Sequence, residues 1–105
     1  MNPRIKICGL TRAEDVQATV DAGADAIGLV FYPASPRYVE RAQAAELARR
    51  VPPFVTIVGL FVNAEPQFVR DTLAAVPIHL LQFRGDEDET NCRQFARPYV
   101  KAARM

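Results

Sequence analysis

The amino-acid sequence predicts an α/β fold built around a parallel sheet. Several strand-length runs are apolar at nearly every position, which is typical of strands covered on both faces. Segments with a helical spacing of apolar residues separate these runs. The strand starts recur about every twenty to thirty residues, as expected of βα units. Together these three observations predict the element order β-α-β-α-β-α-β-α-β.

The first βα unit begins with a short apolar strand that ends at Cys8 and is followed by Gly9. Thr11 and Glu14 have the spacing of a capping box, in which the two side chains bind unpaired amides at a helix start. The predicted buried stripe of this helix consists of Ala13, Val16 and Val20. Gly23 is expected to end the helix in the left-handed conformation.

The second unit starts with an apolar strand over residues 25–31. Gly28 within that strand indicates a bend or the close approach of another backbone. A loop with two prolines and one arginine follows over residues 32–38. The next helix is predicted over residues 40–50 with a weak N-cap, because no Ser, Thr, Asp or Asn directly precedes it.

The rest of the chain repeats this pattern. Apolar strands are predicted over residues 54–62 and 78–83, and Pro66 suits the first position of the helix between them. An acidic turn and a short helix follow over residues 86–96, and a fifth strand begins at Tyr99. This order suits either an open doubly wound sheet of the flavodoxin type or the first half of an eight-stranded (βα) barrel.

Composition predicts a single globular domain over residues 1–105. Half of the residues are hydrophobic, 24% are charged and the net charge is +1, so no nucleic-acid or membrane partner is indicated. The N-terminus has no signal-peptide pattern. The two cysteines fit neither a disulfide framework nor a metal site, which predicts a reduced, cytoplasmic location.

Considered one at a time, the reactive side chains have structural interpretations. Cys8 can be a small buried residue, since free cysteine is among the most buried types. His79 has no metal-ligating residue at a suitable spacing, and Cys92 is predicted to pack in the core. The acidic run over residues 86–89 is predicted to be solvated, because four successive carboxylates on a turn cannot converge on one ion.

Five motifs change this interpretation. They are KICGLT (6–11), GADAIGLVF (23–31), SPRY (35–38), VGLFVN (58–63) and QFRGDE (82–87). In this order they resemble the phosphoribosylanthranilate isomerase family of tryptophan biosynthesis. The resemblance implies an α/β fold of the (βα)8 TIM-barrel family, of which this chain would be a half barrel with the first four βα units and strand five. It disfavours the flavodoxin type, and residues 9–12 also lack the Ser, Thr and Gly cluster that binds a flavin phosphate.

The resemblance implies an Amadori rearrangement, in which an aminoaldose phosphate becomes an aminoketose phosphate. An acid protonates the furanose ring oxygen, and a base then removes the proton from the adjacent sugar carbon. This chemistry needs no cofactor and no metal. By resemblance Cys8 is the base, which requires a thiolate near neutral pH although free cysteine has a pKa of about 8.5. The following helix start and Arg37 are expected to favour the thiolate.

By the same resemblance, three side chains bind the small-molecule substrate, a phosphosugar joined to anthranilate. Arg37 is expected to bind the anthranilate carboxylate with two parallel hydrogen bonds. Gln82 and Arg84 share one facing on the fourth strand, where a polar pair in an apolar strand suggests a site. Arg84 departs from the family pattern, which usually has His at that position.

The family barrel is about twice as long as this chain. Its general acid is an aspartate on strand six, and its phosphate site follows strands seven and eight. Asp86 is a poor substitute for the acid, so residues 1–105 alone are expected to be inactive. The open sheet edges of a half barrel also predict self-association. The alternative interpretation is therefore a non-catalytic, self-associating scaffold that binds a phosphosugar weakly.

Overall fold

Five strands and four helices alternate along residues 5–101, which are the residues that the computed structural model describes. The strands are β1 (Lys6–Cys8), β2 (Ala26–Val30), β3 (Thr56–Phe61), β4 (Leu80–Phe83) and β5 (Tyr99–Lys101). The helices are α1 (Ala13–Asp21), α2 (Arg41–Ala48), α3 (Pro66–Ala75) and α4 (Glu89–Arg93). The predicted element order is therefore confirmed.

Most elements are shorter than the apolar runs that predicted them. β3 begins at Thr56 rather than at Phe54, whose side chain is 97% exposed. β4 begins at Leu80, and α2 begins at Arg41 without a side-chain cap, as its weak N-cap predicted. Pro66 occupies the predicted start of α3. Apolar residues that flank a strand need not join the hydrogen-bonded ladder, so composition alone overestimates strand length.

The predicted capping box is wrong. Arg12, not Thr11, is the N-cap of α1, and it makes no side-chain cap hydrogen bond. The Glu14 carboxylate instead accepts a hydrogen bond from Nε of Arg12 at 2.5 Å. This hydrogen bond, together with the positive charge of the guanidinium, lowers the pKa of Glu14, because both favour the ionised carboxylate. At the other end of the helix, Gly23 has a φ of +92°, as predicted.

The strands are all parallel and follow one another in the order β1-β2-β3-β4-β5. A doubly wound sheet reverses its strand order partway, and this sheet does not. Because parallel crossovers have one hand, a sequential order places every connecting helix on the same face of the sheet. The architecture is that of a half barrel, as the motifs implied.

The two faces of the sheet differ. Alternate strand residues point outward into a core shared with the helices, which we call the outer core. Its buried strand members include Ile27, Leu29, Ile57, Phe61, Leu81 and Phe83. The remaining residues form the inner face, which comprises Lys6, Cys8, Ala26, Gly28, Val30, Thr56, Val58, Leu60, Leu80, Gln82 and Val100.

The inner face is concave. Nζ of Lys6 on β1 donates a hydrogen bond to Oε1 of Gln82 on β4, although β2 and β3 lie between these strands. Val58 on β3 is 1% exposed, whereas Val100 on the edge strand β5 is 49% exposed. A flat sheet would keep Lys6 and Gln82 apart, so the sheet curls enough to bury the centre of its inner face.

Candidate active site

Cys8 lies at the C-terminal end of β1, on the inner face, and is half-buried. It packs across Gly28 of the neighbouring strand. A Cβ atom at Gly28 would lie 2.7 Å from Sγ of Cys8 and 3.2 Å from its Cα. The close approach predicted at Gly28 is therefore confirmed, and the residue approaching it is the candidate base.

Replacing Gly28 with Ala is expected to lower the free energy of unfolding of residues 1–105 by about 1–3 kcal/mol, because the new methyl group overlaps the Cys8 sulfur. Urea denaturation measures the loss. The same substitution in a Cys8→Ala background should lose less, since the nearest atom is gone. Equal losses in both backgrounds would contradict the contact.

Arg37 reaches the same end of the sheet from the loop between β2 and α2. Its side chain lies over Gly9, where a Cβ atom would be 3.2 Å from Nε and 3.3 Å from one terminal nitrogen. Gly9 has a φ of +84°, so glycine suits this position in both conformation and size. The structure thereby brings Arg37 to the residue next to Cys8.

The loop that carries Arg37 is held by its own hydrogen bonds. The Arg37 amide donates to Oγ of Ser35 at 3.1 Å, and the Tyr38 amide donates to the Ser35 carbonyl at 3.1 Å. Val30 and Tyr38 form an isolated parallel bridge. The guanidinium therefore projects from a loop whose backbone is fixed on both sides.

Gln82 and Arg84 differ in their surroundings. The Gln82 side chain is 8% exposed on the inner face and accepts from Lys6. Arg84 follows the end of β4 and is exposed, and within residues 5–101 its side chain makes no hydrogen bond or ion pair. Its amide donates to the Phe61 carbonyl at 3.1 Å. The structure thus gives Gln82 a partner on β1 and leaves the Arg84 side chain exposed at the strand end.

The predicted solvation of the acidic run is confirmed for Asp86, Asp88 and Glu89, which are exposed, and is wrong for Glu87. Glu87 is 8% exposed, and its carboxylate accepts from the amides of Asn63 at 2.6 Å and Gly85 at 2.8 Å. Oδ1 of Asn63 accepts from the Asp86 amide at 2.7 Å. We call Asn63, Gly85, Asp86 and Glu87 the clasp. The clasp links the loop after β3 to the loop after β4. The side chains of Glu87 and Asn63 supply the acceptors that backbone amides in these loops need.

The other two reactive side chains behave as structural residues. His79 precedes β4, at the opposite end of the strand from Arg84, and its Nδ1 accepts from the Ile57 amide at 2.9 Å. Cys92 is fully buried on α4, as predicted, and burial raises the pKa of its thiol.

Two negative findings apply to residues 5–101. This part of the chain contains no helix long and apolar enough to cross a membrane. It also brings together no group of three or more His, Cys, Asp or Glu side chains that could hold a metal ion.

Known proteins that are similar in sequence or structure agree with the half-barrel architecture. A family sequence profile described as N-(5'phosphoribosyl)anthranilate (PRA) isomerase matches residues 5–104. The chain belongs to the phosphoribosylanthranilate isomerase family. A relative named N-(5'-phosphoribosyl)anthranilate isomerase, from Dechloromonas aromatica, is 66% identical over 105 residues, which are 100% of this chain and 50% of the relative. The chain spans about half the length of the curated relatives it matches.

Solved phosphoribosylanthranilate isomerases have the same fold over this region. The enzyme from Thermotoga maritima superposes with a TM-score of 0.91 at 41% identity, covering 95% of this chain and 50% of that one. A structure in complex with reduced 1-(o-carboxyphenylamino)-1-deoxyribulose 5-phosphate also has a TM-score of 0.91 at 41% identity, covering 95% of this chain and 53% of the other. The barrel family predicted from the motifs is therefore confirmed.

Sequence reasoning missed three side chains at this end of the isomerase fold. Lys6 stands within the first motif, two residues before Cys8 and therefore on the same face. Asn63 directly follows an apolar strand and has a φ of +48°, a conformation that asparagine tolerates better than most residues. Glu87 ends the fifth motif, but no local pattern predicts its burial, which depends on the neighbouring loop.

Proposed function

We propose that this chain is the part of a phosphoribosylanthranilate isomerase that carries the catalytic base and the carboxylate-binding arginine. The observation that carries the proposal is the position of Arg37 across Gly9, beside Cys8. A base and a cation at one mouth of a barrel suit a substrate with both an acidic carbon and a carboxylate. The reaction is the Amadori rearrangement of N-(5-phosphoribosyl)anthranilate to 1-(2-carboxyphenylamino)-1-deoxyribulose 5-phosphate.

Cys8 acts as the general base in this proposal. It removes the proton from the sugar carbon next to the imine that forms when the furanose ring opens. Half-burial leaves Cys8 accessible on the inner face, and the missing side chain of Gly28 makes room for the sulfur itself. The general acid and the phosphate site are expected in the part of the barrel that the relatives have beyond this match.

Arg37 binds the anthranilate carboxylate, because a guanidinium matches a carboxylate with two parallel hydrogen bonds. Gln82 contributes a second polar contact. Since an ammonium only donates, Lys6 turns the carbonyl oxygen of Gln82 toward itself and the amide NH₂ group away. That NH₂ group then faces substrate oxygens within the barrel. Arg84 adds a further cation at the rim.

A completed barrel tests the proposal directly. It consists of residues 1–105 joined to the part of the Dechloromonas aromatica relative that this chain does not match. We expect it to isomerise phosphoribosylanthranilate, whereas residues 1–105 alone show no measurable turnover. In the completed barrel, Arg37→Lys should raise KM about tenfold, the equivalent of one lost charge-assisted hydrogen bond.

The matched control is Arg12→Lys, since Arg12 is an exposed arginine whose partner is Glu14. It should leave KM unchanged. A completed barrel that folds but has no turnover contradicts the proposed function. An active barrel in which Arg37→Lys and Arg12→Lys behave alike contradicts only the role of Arg37.

We further propose that residues 1–105, taken alone, associate with a second copy through their sheet edges. Within residues 5–101, β1 pairs only with β2, and β5 pairs only with β4. Ile7 on β1 is 40% exposed and lines an apolar groove of about 340 Å³ against α1. Unpaired strand edges with exposed apolar residues favour pairing with another chain.

The free thiols of Cys8 and Cys92 also support a cytoplasmic location.

Light scattering after size exclusion is expected to show a dimer of residues 1–105. Ile7→Lys should convert it to a monomer, because a charged edge residue opposes strand pairing. Phe54→Lys makes the same change in charge at a side chain that is 97% exposed elsewhere, and it should leave the dimer intact. A monomeric parent chain would contradict self-association.

A further inference from the structure

The clasp is tighter than a loop contact requires. A Cβ atom at Gly85 would lie 2.6 Å from Cγ of Asn63 and 2.9 Å from its amide nitrogen, so no larger residue fits there without movement. Asn63 adopts a left-handed φ of +48°. The Glu87 carboxylate accepts hydrogen bonds from two backbone amides, one in the loop after β3 and one in the loop after β4. Such a device fixes the distance between the ends of β3 and β4.

The backbone at Arg84 lies between two hydrogen bonds, one to β3 in the sheet and one within the clasp. Its own amide donates to the Phe61 carbonyl on β3 at 3.1 Å. The next amide, that of Gly85, donates to Glu87 at 2.8 Å. The backbone at Arg84 is therefore fixed on both sides, while the side chain is exposed and makes no hydrogen bond within residues 5–101. A fixed backbone with an unengaged guanidinium suits the capture of an anion.

We propose that Glu87 is a positioning residue, which holds Arg84 at the rim of the barrel so that its guanidinium meets the anthranilate carboxylate alongside Arg37. The inference rests on the proposed function and deepens it. Within residues 5–101, the Glu87 carboxylate accepts hydrogen bonds from backbone amides alone, so it acts through the loop. It therefore contributes to substrate binding and not to proton transfer, which the proposed function assigns to Cys8 at the end of β1.

Glu87→Gln tests this role with minimal change in shape. Glutamine offers one acceptor oxygen and one NH₂ group, so one of the two amides loses its partner and faces a donor. In the completed barrel, KM should rise on the order of tenfold with little change in kcat, since small displacements of binding groups weaken substrate positioning. In residues 1–105, amide hydrogen exchange at Asn63 or Gly85 should accelerate, while exchange at Ile27 in the sheet stays slow.

The control is Glu89→Gln, at an exposed carboxylate paired with Arg93 at 2.9 Å. It should change neither KM nor the exchange of the clasp amides. Unchanged exchange at both Asn63 and Gly85 in Glu87→Gln overturns the clasp itself. Faster exchange with unchanged KM, or a fall confined to kcat, overturns the positioning role.

An inactive completed barrel has a different meaning. It contradicts the proposed function, and the role of Glu87 toward substrate is then wrong as well. The two failures are distinguishable. A wrong proposed function leaves the parent completed barrel without turnover, whereas a wrong role for Glu87 leaves the parent active. Double substitution provides a further check: if Glu87 acts through Arg84, then Glu87→Gln should raise KM much less in an Arg84→Ala background than in the parent.

Discussion

Cys8→Ala in the completed barrel is expected to lower kcat by about a hundredfold to ten-thousandfold, the range typical of a lost general base. Alanine has no group that can accept the proton from the sugar carbon. KM should change little, because the proposed function assigns substrate binding to Arg37, Gln82 and Arg84. Steady-state kinetics with phosphoribosylanthranilate measure both constants.

Cys92→Ala is the matched control. Cys92 is fully buried on α4, and burial raises the pKa of its thiol, so it stays neutral through neutral pH. Its loss should leave kcat near that of the parent, although the cavity lowers stability. Near-parental kcat in Cys8→Ala would contradict the assignment of Cys8 as the general base.

The second large effect is on stability. Phe61→Ala should lower the free energy of unfolding by about 3–5 kcal/mol, as is typical of a buried aromatic residue. The Phe61 side chain is fully buried, and its ring centroid lies 5.4 Å from that of Phe31 and 6.3 Å from those of Phe68 and Phe83. Removing it leaves a cavity at the centre of the outer core, where β2, β3, β4 and α3 meet.

Phe54→Ala supplies the comparison, since Phe54 is 97% exposed. It should change the free energy of unfolding by less than about 0.5 kcal/mol. Urea denaturation of residues 1–105 measures both variants, with the slope of the transition as a check on two-state unfolding. Similar losses for the two phenylalanines would mean that the outer core does not hold the sheet and helices together.

The element order could be predicted because its signals are local. Helical and strand periodicity depend on neighbours a few positions away, and so does a helix start at Pro66. The capping box failed for the same reason: Glu14 has two possible partners within reach, and the charged one, Arg12, is preferred. Local spacing shows that a contact is possible, and it does not rank competing contacts.

The motifs identified Cys8, Arg37 and Gln82, and the sequence by itself therefore determined the fold class, the family and the candidate base. Tertiary structure decided what these side chains meet. Lys6 and Gln82 are 76 positions apart, and their bond depends on the curl of the sheet. Glu87 is buried because Asn63, 24 positions away, brings an amide to it. Periodicity along a chain carries no information on curvature or on the contact between two loops, since both arise only when the strands pair in register.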